Sequence, residues 1–137
     1  MAKIESLRLV KRKDYWDIEL DGWRFEQCVV DYAFGLRISN QVETIQIRLN
    51  REFSMTRDNA RYDFNPVTHP EQLGPALSLL HLPVQKIRVW KNGYLLIVFP
   101  TARLEIQSDQ DFEAWELSGP KGMLIVSLPG DEVAIWQ

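Results

Sequence analysis

Apolar and polar residues alternate with a period of two through most of this chain, in short runs cut by turn signals. In the first half "SLRLV" (Ser6–Val10), "YWDIEL" (Tyr15–Leu20), "FEQCVV" (Phe25–Val30), "LRIS" (Leu36–Ser39) and "TIQIRL" (Thr44–Leu49) read this way. In the second half "VQKIRVW" (Val84–Trp90), "YLLIVF" (Tyr94–Phe99) and "ARLEIQ" (Ala102–Gln107) do the same, followed by Glu113–Leu117, Met123–Ser127 and Val133–Trp136. A strand turns successive side chains to opposite faces, so this period means strands with one dry face and one wet face. Charged and Gly/Pro/Asn-containing turns between the runs make most connections hairpins. Lys91-Asn92-Gly93 is the strongest of these signals, and Asn-Gly there predicts a type I′ turn with positive φ at both central residues. The expected fold is α+β and mostly antiparallel β, with about ten strands in two packed sheets or a partly open barrel and one short helix.

An internal echo accompanies the alternation. Residues 23–53 and 82–112 align without a gap at a shift of 59 (82 − 23 = 59), matching Leu36 with Leu95, Ile38 with Ile97, Ile45 with Leu104 and Ile47 with Ile106. Two pseudo-repeated β-meanders with a cleft between them would give this pattern, and so would two unrelated meanders of similar loop length.

The segment joining the two halves, 50–81, breaks the pattern. Asn50–His69 is polar with scattered aromatics and reads as a long surface connection. "PEQLGPALSLL" is the only helix candidate: Thr68 and Glu71 have capping-box spacing, and Leu73, Leu77 and Leu80 share a face. Pro75 breaks that helix, leaving Pro75–Leu80 as its firm part.

A chain of 137 residues is expected to form one domain and to bury roughly two thirds of its unfolded surface without staples. The formal net charge of −3 and the scattered Lys and Arg residues argue against nucleic acid as a partner. The lone Cys28 forbids an intrachain disulfide and CxxC sites, and in its apolar run it reads as a small buried hydrophobe. No run suits a signal peptide or a membrane span, so the expected location is cytoplasmic, with no membrane partner.

Catalytic chemistry has little to work with, so the chain is expected not to be an enzyme and to need no cofactor or metal. His69 and His81 flank the helix candidate and read as helix-end residues. "SGPKG" has no following helix to hold a phosphate. "SDQDFEAWE", with Asp109, Asp111, Glu113 and Glu116, has oxygen ligands suited to a hard cation but only a fragment of a calcium loop, and reads better as a solvated acidic loop. Trp16, Trp90 and Trp136 fall in strand patterns; Trp23 and Trp115 are the better candidates for exposed anchors.

Four segments resemble a family of small bacterial proteins classed as a domain of unknown function: "VVDYAF" (Val29–Phe34), "LGPALSLL" (Leu73–Leu80), "FEAWELSGPKG" (Phe112–Gly122) and "SLPGDEVAIW" (Ser127–Trp136). The resemblance covers about Leu20 to the C-terminus. Ser127 stands where that family often has cysteine and Asp131 where it usually has a second glycine. The resemblance supports the architecture and supplies no activity; it implies an immunity-type or accessory partner protein.

The candidate binding residues are Asp31, Tyr32, Glu113, Trp115, Asp131 and Glu132. Glu113 and Trp115 stand two apart, so in a strand they share a face. Two arrangements remain open: a buried Glu113 paired with an arginine (Arg37, Arg88 or Arg103), or a carboxylate on an aromatic floor in a cleft. The expected function is a non-catalytic protein-interaction domain whose partner is another protein, with a homodimer compatible. The alternative is a small-molecule-binding or weakly enzymatic domain with a cleft between the two β halves.

Overall fold

The computed structural model describes residues 7–137; Ser6, the first residue of the strand expected over Ser6–Val10, lies outside them. Thirteen strands are present among the described residues. They are β1 (Leu9–Lys11), β2 (Tyr15–Glu19), β3 (Arg24–Val30), β4 (Phe34–Ser39), β5 (Thr44–Leu49), β6 (Phe53–Arg57), β7 (Ala60–Phe64), β8 (Lys86–Trp90), β9 (Leu95–Val98), β10 (Ala102–Ile106), β11 (Trp115–Ser118), β12 (Leu124–Leu128) and β13 (Glu132–Trp136). One short helix, α1 (Gly74–Leu77), and the 3-10 turns Pro70–Gln72 and Pro120–Gly122 complete the set.

The strands form two antiparallel sheets. Sheet I orders β1-β2-β8-β9-β10-β6-β7 and sheet II orders β13-β12-β11-β5-β4-β3, and neither closes into a barrel. The inward residues meet in one core. Ile18, Met55, Ile87, Ile97 and Leu104 come from sheet I, and Leu36, Ile38, Ile47, Leu117 and Ile125 from sheet II. Each such side chain contributes roughly 1.5–3 kcal/mol by leaving water. No helix among the described residues is long and apolar enough to cross a membrane.

Segments 23–53 and 82–112 contain the meanders β3–β4–β5 and β8–β9–β10, one in each sheet. Leu36, Ile38, Ile45 and Ile47 and their counterparts Leu95, Ile97, Leu104 and Ile106 are all buried between the sheets. The correspondence fails at the ends: Val30 is exposed where Val89 is buried, because β3 is an edge strand and β8 is not. The cleft expected between the halves is therefore filled by core.

Three local expectations are corrected. The Asn50–His69 segment is not an unstructured connection, since it holds the β6–β7 hairpin. Its turn, Asp58-Asn59, has φ of 51° and 64°, a conformation these two residue types tolerate. At Lys91-Asn92-Gly93 the turn is not type I′. Gly93 donates its N–H to the Trp90 carbonyl at 3.0 Å and alone takes positive φ, 90°. A Cβ at Gly93 would come within 2.8 Å of Ser108 Cβ, so this close approach requires glycine. Finally, α1 begins at Gly74 and buries Ala76, with Leu73 and Leu79 buried on either side of it, while Leu77 is exposed. The capping box does not form, because the residue before the Pro70 turn is His69 and caps with no side chain. Thr68 instead donates its backbone N–H to Asn65 Oδ1 at 3.1 Å.

The outer face of sheet I carries a cross-strand staple. Asp17, only 4% exposed, accepts two hydrogen bonds from Arg88, from Nε at 2.7 Å and from Nη2 at 3.0 Å. The guanidinium lies 4.0 Å from the Tyr15 ring centre and 5.5 Å from that of Trp90. Both charges of the pair are thus satisfied, as charges withdrawn from water must be.

Candidate functional site

The strand directions bring the six sequence-derived candidates to one end of sheet II. There β3, β5 and β12 end, and β4, β11 and β13 begin. They do not form one pocket. Trp115 is fully buried, and its Nε1–H donates to the Gly93 carbonyl at 2.7 Å. Glu113 precedes β11 and is exposed, with its carbonyl accepting from Asn50 Nδ2 at 3.2 Å. Ala114 between them is also buried. The backbone there is not a continuous strand, so the shared face expected of Glu113 and Trp115 does not exist. Neither arrangement drawn for Glu113, the buried ion pair or the aromatic floor, is present.

The other four candidates lie at two turns. Asp31 and Tyr32 form the β3–β4 turn, where Asp31 caps the Ala33 N–H at 2.9 Å and meets Arg48 Nη1 at 2.9 Å. The Arg48 hydrogen bond holds the Asp31 carboxyl below the usual carboxylate range. Tyr32 is 79% exposed. Asp131 lies in the β12–β13 turn and accepts from Ser108 Oγ, and Glu132 is the first residue of β13. Trp23 and Trp115 are core and not exposed anchors, Trp16 and Trp90 are half-buried as their strand positions imply, and only Trp136 departs from its strand pattern, at 53% exposed.

The outer face of sheet II holds a groove of 510 Å³ that the alternation alone did not single out. Cross-strand register builds it in two rows. One runs Val29, Gly35, Arg48, Glu116, Val126; the other runs Gln27, Arg37, Gln46, Ser118, Leu124. Gly35 makes the notch: a Cβ there would lie 3.1 Å from the Val29 carbonyl oxygen, so glycine keeps β3 and β4 close and the floor low. Gln27, Arg37, Gln46, Glu116 and Ser118 make no side-chain hydrogen bond or ion pair among the described residues. Exposed Val29 lines the groove at the sheet edge, with exposed Tyr32 in the adjoining β3–β4 turn and exposed Val30 on the opposite face of the same edge strand. The segment before β8 covers the start of β3, through Phe25 N–H to the Leu82 carbonyl at 3.0 Å and Val84 N–H to the Trp23 carbonyl at 2.9 Å. Beyond it no strand among the described residues pairs with the free edge of β3 from Gln27 to Val30.

A second depression, 230 Å³ on the outer face of sheet I, differs in chemistry because its charges pair internally. Arg51 meets Asp109 at 3.3 Å, Arg61 meets Asp63 at 3.0 Å and Arg103 meets Glu105 at 2.9 Å. Tyr94 donates to Glu105, and burial first, then that contact, pushes its phenol pKa up. Charges already paired inside the chain gain little from a ligand, although Arg51 Nε in this lining is buried without a hydrogen-bond partner among the described residues. The sheet II groove is the better site on this ground.

A family model covers residues 16–137 of the chain, beginning within β2 and running to the last residue. The chain belongs to DUF6188, a family of unknown function. No curated protein and no solved structure matches it. In this DUF6188 member Ser127, where the resemblance expects cysteine, is fully buried and its hydroxyl has no hydrogen-bond partner. It sits in the core, away from the groove.

The one thiol of this DUF6188 chain is held unreactive. Cys28 is half-buried on β3, and burial pushes its pKa from 9.0 up to about 11. The native state binds this proton more tightly than the unfolded state. The stability so gained is complete below pH 9 and is lost as pH rises through 11. Folded protein at neutral pH is expected to carry about a hundredfold less thiolate than an ordinary cysteine and to alkylate correspondingly slowly. Iodoacetamide rates in buffer and in urea check this, and equal rates contradict it. Cys28→Ala is expected to flatten the alkaline loss of stability.

Proposed function

We propose that this chain is a non-catalytic protein-interaction domain that docks its partner on the outer face and open edge of sheet II. The observation that carries this reading is the set of groove side chains, Arg37 and Glu116 foremost, that find no partner among the described residues. Unpaired donors and charges beside exposed Val29, Val30 and Tyr32 match the mixture of polar contacts and apolar anchors that protein interfaces use. An immunity-type or accessory protein acting in the cytoplasm is the kind of molecule this reading suits. A small polar ligand is the second reading, favoured by the 510 Å³ of the groove, which falls in the range of ligand sites.

A photo-crosslinking residue placed at Val29 or Arg37 tests the first reading, with Tyr62 on sheet I as the control. Adducts to a defined polypeptide are expected from the two sheet II positions and not from Tyr62. Equal labelling from all three positions counts against a docking face. Absence of any adduct, together with a thermal shift on adding small anions, would transfer the groove to the second reading.

A further inference from the structure

Arg37 and Glu116, of opposite sign on the groove face of sheet II, make no ion pair among the described residues, and they flank one strand, one residue pair apart along it. Arg37 lies on β4 and Glu116 on β11, and β5 runs between them. With strands about 4.8 Å apart and one residue pair of offset along them, their Cβ atoms are roughly 12 Å apart. Arg48, directly opposite Glu116 in the register, is turned instead to Asp31 at 2.9 Å. The groove and its β3–β4 rim are locally neutral, with Arg37 and Arg48 against Glu116 and Asp31, while Glu132 stands further out on the same face, on β13; the chain has net charge −3.

We propose that the occupant of this face is a second copy of the same chain. A two-fold axis lying in the interface above β5 sets β4 of each copy against the partner's β11, and β3 against the partner's β12. Gly35 then lies opposite the partner's Glu116, with Arg37 one residue pair, roughly 7 Å, further along; the two long side chains meet on this diagonal, so one contact made twice satisfies all four charges. Gln46 lies beside the axis, and its amide both donates and accepts, so it can pair with its own image. Val29, 49% exposed, turns toward the partner's Leu124 and Val126. A purely acidic or purely basic partner satisfies one of the two charges and strands the other. A second copy satisfies both, which is why the charge pattern selects it.

The inference rests on the reading that this face is an interaction surface, and the test separates the two. The purified full-length chain is measured by light scattering after gel filtration and by sedimentation velocity, across a hundredfold concentration range and at low and high salt. Wild type is expected to show dimer mass that falls on dilution and in high salt. Arg37→Glu and Glu116→Arg are each expected to weaken the dimer by roughly a hundredfold or more, since each sets like charges face to face. The mixture of these two single variants is expected to form a mixed dimer, because the all-acidic face of one meets the all-basic face of the other. The double variant R37E/E116R is expected to dimerise like wild type. All three positive results are needed. A monomeric wild type, or a dimer indifferent to both swaps, overturns the inference; circular dichroism of each variant identifies a monomer caused by misfolding, in which case the mixing result on folded Arg37→Gln and Glu116→Gln chains decides. A monomer that still crosslinks another polypeptide from Val29 or Arg37 removes the second copy and keeps the interaction surface. A monomer with no such adduct removes both.

Discussion

Trp115→Ala is expected to lose about 4–8 kcal/mol of folding stability, the largest single effect in this chain, from a truncation cost of about 3–5 and an orphaned carbonyl worth about 1–3. Trp115 is 0% exposed and its indole N–H holds the Gly93 carbonyl at 2.7 Å. That bond ties the start of β11 in sheet II to the β8–β9 turn in sheet I, so it spans the two layers. Total stability for a domain of this size is about 5–15 kcal/mol, which leaves the variant at the edge of unfolding. Trp115→Phe keeps most of the apolar volume and loses the donor, so it should cost about half as much. Urea denaturation followed by circular dichroism measures both. A loss below about 1 kcal/mol for the alanine variant would contradict the burial and hydrogen bonding described.

The second large effect is expected at the Asp17–Arg88 staple. Removing one partner of a buried pair leaves the other charge stranded, and Asp17→Ala should cost about 3 kcal/mol, near the low end for such pairs because Arg88 keeps some water. The side chain of Arg88 is 25% exposed against 6% for Asp17, which places the heavier penalty on truncating Arg88 and leaving Asp17 unpaired. The double variant Asp17→Leu/Arg88→Met is expected to recover at least half of the single-variant loss, since two apolar groups need no counter-ion. If the double variant is as unstable as the sum of the singles, the pair is not coupled and the staple contributes little.

The strands of the two meanders were legible because the alternation from Leu36 to Ile47 and from Leu95 to Ile106 is strict on one face. Where both faces are wet, as in β7 with Arg61, Tyr62 and Asp63 exposed, the period carries no signal, and the hairpin around Asp58-Asn59 reads as a long surface connection. The tryptophans misled because position relative to a turn does not report burial; the layer that packs above it does. Glu113 and Trp115 were paired by a period that the backbone does not keep at Ala114. Arg37, Arg48 and Glu116 are ordinary wet-face residues in sequence, and they become a site only through the pairing of β4 with β5 and of β5 with β11. The one local hint was Gly35 inside a strand run, where a missing side chain marks a close approach or a depression.

The order of strands in the sheets also bears on how the chain is made. Hairpins such as β3–β4 and β8–β9 can form as soon as they are synthesised. The seams β2–β8, β6–β10 and β5–β11 cannot, and in the first of them Asp17 waits for Arg88, 71 residues later. Pairing over such separations slows folding relative to local contacts. On the ribosome, β5 keeps an open flank until β11 emerges, so the first meander leaves the exit tunnel with both of its long edges unpaired. Throughout that interval the nascent chain offers strand edges to any neighbour, and a polysome crowded with copies of this message is where mispairing would begin.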